Sequence, residues 1–323
     1  MWISHRLLAF VGLGFVVSIG CSASSTGLGT NTDGGSGGDG GWGNGGSGQG
    51  NNTQGGEGGG FIPPTDGGTD GPIDDCSDEA KLVYVLSDAN ELYSFDPPAK
   101  QFTKIGTLNC NTSMSPNSMA VDRDAVAWVN YVDTFDTSGV IFKVSTKDAN
   151  CEPAPTVQLG SGWARIGMGF SKNDDGQGET LFVSGTSGTG LGKINAANAL
   201  NPIAQFSPGT FTGKSAELTG TGDGRLYGYF TTTPVYLGQI DKATGGVTNP
   251  KEITGLATPS AWAFSFWGGS FYLYAASSFE NSNVTKYDPA TGTINNSYMT
   301  NVGFRIVGAG VSTCAPLIEP PPK

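Results

Sequence analysis

Leu92-Tyr93-Ser94-Phe95-Asp96-Pro97-Pro98-Ala99-Lys100-Gln101-Phe102-Thr103 reads as a strand, a tight turn and a second strand. The first strand ends in an Asp whose side chain can cap the turn, and Pro presets φ at the first turn position. The unit returns as Val284-Thr285-Lys286-Tyr287-Asp288-Pro289-Ala290-Thr291-Gly292-Thr293-Ile294-Asn295, where Gly292 supplies a left-handed position. It returns again as Leu237-Gly238-Gln239-Ile240-Asp241-Lys242-Ala243-Thr244-Gly245-Gly246-Val247-Thr248. Two looser copies span residues 141–148 and 191–198. Phe95, Val144, Ile194, Ile240 and Tyr287 hold the same place in the five copies, about 46–50 residues apart.

A repeat of that length built from short strands predicts an all-β fold, a β-propeller of about five four-stranded blades. Each motif is then the hairpin between the two outer strands of a blade, so Asp96, Asp241 and Asp288 are turn residues rather than catalytic or metal-binding ones. Ahead of each looser or stricter copy lies an alternating apolar strand such as Val126-Ala127-Trp128-Val129-Asn130-Tyr131 or Phe271-Tyr272-Leu273-Tyr274. Ahead of that lies a small-residue segment such as Ile166-Gly167-Met168-Gly169, suited to the crowded axis of a ring. The Asp-x-x-Thr-Gly turn resembles that of secreted quinoprotein-like and other bacterial propellers over most of residues 82–312. The resemblance implies the fold and not an activity.

The first copy has three outer strands and no inner strand before it. The end of the repeat region, Phe304-Arg305-Ile306-Val307-Gly308-Ala309-Gly310-Val311, is an inner strand with nothing after it. Pairing the two closes the ring and leaves no terminal edge open to aggregation. Four cysteines, Cys76, Cys110, Cys151 and Cys314, are an even number and allow three disulfide pairings. Closure brings Cys76 to Cys314, leaving Cys110 for Cys151. A zinc site is the rival reading, but it lacks any CxxC spacing and any histidine beyond His5.

His5-Arg6 followed by an apolar stretch over residues 7–20 reads as an export signal, too short to span a bilayer. Ser18-Ile19-Gly20-Cys21 resembles a bacterial lipobox, which implies acylation of Cys21 and a membrane anchor. It departs from that pattern in carrying Ser18 where Leu is preferred; cleavage after Ala23 is the alternative. Residues 21–75 are rich in Gly, Ser, Asn and Asp and have too little to bury to offset backbone entropy. They are expected to be a disordered tether, roughly 40 Å in root-mean-square span for a Gly-rich coil of that length. Residues 76–318 form the propeller and 319–323 a Pro-rich tail.

The net charge of −11 and the absence of Lys/Arg clusters argue against nucleic acid. Loss of His5 with the signal removes Ser-His-Asp and Cys-His catalysis. Glu217 is the one clear acid on the inner strands, with Asp122, Asp124 and Asp223 in the turns that follow, whereas glycoside hydrolysis by paired acids needs two. Ser171-Lys172-Asn173-Asp174-Asp175-Gly176-Gln177-Gly178-Glu179 looks like a calcium loop, but places Phe182 where a bidentate Glu belongs. No cofactor and no metal site is expected.

What remains is recognition at the channel mouth, where the chain enters the inner strands. Asn117, Trp163, Arg165, Lys214, Glu217, Trp262 and Arg305 lie there and would suit a glycan or a protein loop through stacking and charge-assisted hydrogen bonds. The competing reading is packing between blades for the Trp residues and solvation for the charges. The sequence thus reads as a monomeric, non-enzymatic binding lipoprotein of the bacterial envelope, at the outer membrane or cell surface. The alternatives are a scaffold of an envelope assembly complex and a carboxylate-based carbohydrate-active enzyme.

Overall fold

Alternating apolar runs bounded by Gly, Asn and Asp turns form twenty strands, β1 to β20, in a computed structural model that describes residues 76–186 and 188–321. The export signal, Cys21 and the tether lie outside the described residues. The strands make five four-stranded antiparallel sheets, and the innermost strands are β4 (Ser115–Val121), β8 (Ile166–Lys172), β12 (Ala216–Gly220), β16 (Ala261–Trp267) and β20 (Ile306–Val311). β20 pairs with β1 (Val83–Ser87), with Val311 opposite Val83 and Ala309 opposite Val85, so the last strand completes the first blade. The count is five, and the ring closes through its termini. Among the described residues helix is limited to one 3-10 turn, Glu79–Lys81, just ahead of β1.

The five outer hairpins carry the repeated turn as expected. Asp241 accepts from the N–H groups of Ala243 (2.9 Å) and Thr244 (2.8 Å), Asp288 from Ala290 (2.9 Å) and Asp96 from Ala99 (3.1 Å). In the looser copies Asn195 plays the same part toward Ala197 and Ala199, and Ser145 toward Lys147. A short acceptor at the strand end is therefore what the turn requires, and Asp is one way to supply it.

Cohesion comes from the seams between blades. Five apolar clusters each join residues of two adjacent sheets. Phe95 meets Tyr272 and Tyr274 edge-on (5.9 and 6.0 Å between ring centroids), Trp128 meets Phe170 (5.7 Å) and Tyr227 meets Phe271 (4.9 Å). Such pairs add about 0.5–1.5 kcal/mol each beyond the area they bury. Toward the axis the side chains shrink because the backbones touch. A Cβ on Gly167 would sit 2.0 Å from the Ala216 carbonyl oxygen, and one on Gly310 would sit 2.9 Å from the backbone of Ala120.

Two disulfides fasten the ring. Cys76–Cys314 joins residues 238 apart at the closure, with Cα atoms 5.9 Å apart, and Cys110–Cys151 ties the first blade to the second at 5.1 Å. Such bonds are a mark of chains that mature in an oxidising compartment.

Candidate functional site at the upper mouth of the channel

All five inner strands run in the same direction along the axis, so their entry ends meet at one mouth, here called the upper. A cavity of about 110 Å³ opens there. Its lining includes Pro116 and Asn117 of β4, Arg165, Ile166 and Gly167 at β8, and Ser215, Ala216 and Glu217 at β12. Ser260, Ala261 and Trp262 at β16, and Val307 of β20, complete the circuit.

Glu217 lies at the floor of this cavity and is 4% exposed. Along β12 it stands opposite Tyr229, and its carboxylate crosses the channel to accept from Ser118 Oγ of the second blade at 2.8 Å. Burial pushes its carboxyl well above the usual carboxylate range, against the opposing pull of the Ser118 hydroxyl, the Met168 N–H and the Arg165 charge.

The two arginines hold loops. Arg165 grips Asp136 in a bidentate pair, Nε and Nη2 each 3.0 Å from a carboxylate oxygen, and donates through Nη1 to Asn117 Oδ1 at 2.5 Å. Asn117 donates in turn to Asn130 and to the Ile166 carbonyl, both at 2.9 Å. Arg305 donates to the Ser278 carbonyl (2.5 Å), the Glu280 carbonyl (3.3 Å) and Ser260 Oγ (3.0 Å). Each arginine thus reaches back to the preceding blade and fixes a loop with a highly exposed phenylalanine, Phe135 in one and Phe279 in the other.

Of the seven residues singled out from the sequence, Asn117, Arg165, Glu217 and Trp262 line the cavity together. Arg305 adjoins it through Ser260. Trp163 and Lys214 do not line it. Trp163 packs against the apolar seam between the second and third blades, its ring filling the space beside Gly192, and Lys214 is exposed. The residues that sequence reasoning missed are Asp136, Asn130 and Ser118. Asn130 stood in a quoted strand, but the approach of all three to the mouth depends on how the blades pack around the axis.

Three buried side-chain polar atoms lack a hydrogen-bond partner among the described residues: Tyr131 Oη, Tyr229 Oη and Trp262 Nε1. Tyr131 stands opposite Pro116 in register, Tyr229 opposite Glu217, and Trp262 is itself a lining residue. An unmade hydrogen bond of this kind costs about 1–3 kcal/mol, and all three gather around one mouth. Elsewhere the turn at residues 171–179 is a hairpin held by Asn173 and Asp175, with Asp174 paired to Lys242 at 2.5 Å. No cluster of three metal-ligating side chains occurs among the described residues.

No family model matches the chain, and no curated protein matches it. Solved propellers resemble it in part. TolB from Acinetobacter baumannii is 15% identical with a TM-score of 0.41, over 66% of this chain and 51% of that one, so this chain spans about half of that protein's length. The calcium-binding protein regucalcin from Agrobacterium tumefaciens gives 16% and 0.42, over 72% and 75% of the two chains. The PQQ-bound aldose sugar dehydrogenase from Streptomyces coelicolor gives 9% and 0.40, over 72% and 82%. No site residue is carried over from any of them. The class defined by topology is a five-bladed, disulfide-closed propeller with a polar pocket at one mouth.

Proposed function

We propose that this chain is a binding protein displayed from the bacterial envelope, anchored through a lipid on Cys21 and meeting its ligand at the upper mouth. The observation that carries the reading is the convergence of all five inner strands on one cavity that Asn117, Arg165, Glu217 and Trp262 line together. Loop entries from every blade give such a site a shape that no single blade could hold, and fixed polar groups in it cost little to organise on binding. Glu217 is the sole carboxyl in the lining, which supports binding over hydrolysis by paired acids.

The test is a glycan and envelope-protein binding screen with the full exported chain in detergent, run beside a Trp262→Ala variant. Binding by the parent that the variant loses supports the reading. Absence of binding, together with turnover of a polysaccharide that Glu217→Gln abolishes, overturns it. Radiolabelled fatty acid incorporated by the parent and not by Cys21→Ser checks the anchor.

A further inference from the structure

Two loops on the upper face are built alike. One joins β5 (Val126–Val132) to β6 (Gly139–Ser145) in the second blade, and the other joins β17 (Ser270–Ala276) to β18 (Asn283–Asp288) in the fifth. Thr134-Phe135-Asp136-Thr137-Ser138 in the first matches Ser278-Phe279-Glu280-Asn281-Ser282 in the second: a hydroxyl, a Phe, an acid, a polar residue and a Ser. The corresponding loops of the other three blades contain no Phe. The clamps match as well, since Arg165 and Arg305 each stand just ahead of the Ile that opens the next blade's inner strand.

Phe135 is 83% exposed and Phe279 101%, whereas every other Phe among the described residues is buried or half-buried. Loose backbone does not account for this. In the first loop Asp133 accepts from the N–H groups of Phe135 (3.2 Å) and Thr137 (2.8 Å), and Arg165 grips Asp136. In the second the Glu280 N–H donates to the Ser277 carbonyl (2.9 Å), Asn281 donates to Asn301 (2.9 Å), and Arg305 holds the Ser278 and Glu280 carbonyls. Each loop is a fixed mount that holds a large apolar ring out in water, where it forgoes the gain of burial.

The spacing of the two rings decides what they meet. The second and fifth blades are not neighbours; the first blade lies between them, and its loop on this face is Asp88-Ala89-Asn90. A protein partner packs a continuous, water-free core across its interface, and two separate rings with polar ground between them supply none. A bilayer surface makes no such demand, because lipid closes around each ring by itself. Charge adds little. Asp133, Asp136 and Glu280 against Arg165 and Arg305 leave the two loops and their clamps at −1, so attachment would rest on the rings and not on anionic lipid.

Reach is ample. The described chain begins at Cys76 beside the lower mouth, at the far end of strands no longer than seven residues, roughly 25 Å. Residues 22–75, drawn out, cover roughly 180 Å. A lipid on Cys21 would keep the ring close to its membrane, where weak insertion is enough.

We propose that the upper face docks on a lipid bilayer by inserting Phe135 and Phe279 at the headgroup boundary, which turns the mouth toward ligands borne by that membrane. This rests on the envelope reading of the function and narrows it to a ligand at the membrane surface.

The experiment takes the exported chain, residues 21–323, with Cys21→Ser so that no acyl chain contributes, and sediments it with phosphatidylcholine vesicles. The chain should pellet with them, in high salt as in low. Phe135→Ser and Phe279→Ser should each weaken partition about tenfold, and the double variant should stay in the supernatant. Both side chains are exposed, so thermal unfolding of the variants should match the parent. Relative to the parent, Phe279→Trp should add emission that shifts to the blue with vesicles and is quenched by brominated lipid. Lys147→Trp, in an outer hairpin turn at the lower end, should add emission that does neither. No partition, or partition that the double variant retains, overturns lipid docking and leaves the ligand screen at the mouth as it stands. Partition onto anionic vesicles alone, abolished by salt, overturns it too. So does an envelope protein that the parent captures and the double variant loses while neither partitions onto vesicles. Failure of every ligand in the screen, with vesicle partition intact and lost in the double variant, sinks the role of the mouth and supports the docking.

Discussion

At the lower mouth of the channel, where the inner strands end, every polar group of the central network has found a partner; at the upper mouth several have none. Below, Glu179 accepts from the Arg123 N–H (2.7 Å) and from Thr313 Oγ1 (2.7 Å), and the Arg123 guanidinium donates to the same Thr313 (3.2 Å). Asp122 accepts from Trp128 Nε1 at 2.9 Å. The Cys76–Cys314 bond lies beside this network, with Arg123 Nη2 3.4 Å from Cys76 Sγ. Above, Trp262 Nε1 and two tyrosine hydroxyls are unmatched among the described residues, and a carboxyl is buried against its preferred charge. The same five strands build both ends. The difference teaches that one end serves closure and the other bears unmet polar demand, which a ring can carry only where its seams supply the stability.

The contrast can be broken most forcefully at the closure. Replacing Cys76 and Cys314 with Ser should lower unfolding free energy by up to about 5 kcal/mol, against about 4 kcal/mol for Cys110 and Cys151, because the chain-entropy cost grows with loop length. Denaturant unfolding of the two double variants measures the difference. An equal or smaller loss for the closure pair would mean that the lower mouth is held by its side chains rather than by the bond.

Glu217 sharpens the upper side. Its folded value stands above its ordinary 4.5, so between the two the folded state holds more protons than the unfolded chain. Stability should fall as pH rises through that window, by about 1.4 kcal/mol per pH unit from this group. Glu217→Gln should remove that fall and be the more stable protein at the upper end of the window, while differing little below pH 4.5. Parallel pH–stability curves for the two proteins would contradict the buried, protonated state. The smallest effect belongs to the lower network: Thr313→Val removes one hydroxyl shared by Glu179 and Arg123 and should cost about 1–2 kcal/mol. A loss below experimental error would show that water replaces it.

Much of this was legible in the chain. The turn at Asp96, Asp241 and Asp288 fixed the repeat because a strand end needs a local acceptor wherever it lies in space. The roles of Arg165 and Arg305 were not legible. Their position at strand entries pointed toward a ligand, but whether a guanidinium meets ligand or loop depends on where Asp136 and the Ser278 carbonyl fall, on a neighbouring blade. Trp163 misled for the same reason, since the glycines that make room for its ring belong to strands the local sequence does not specify.

The sequence by itself pointed to the all-β repeat, a ring of about five blades, the missing inner strand and the cysteine pairing that ring closure favours. Those follow from local turn chemistry and from counting, which need no coordinates. The structure fixed the count at five and the two pairs. Only the tertiary structure decided that Glu217 reaches Ser118 across the channel, that Trp262 is left unpartnered, and that one mouth is satisfied and the other is not. Hydrogen-bond satisfaction is a property of atoms brought together from distant parts of the chain, and no periodicity records it.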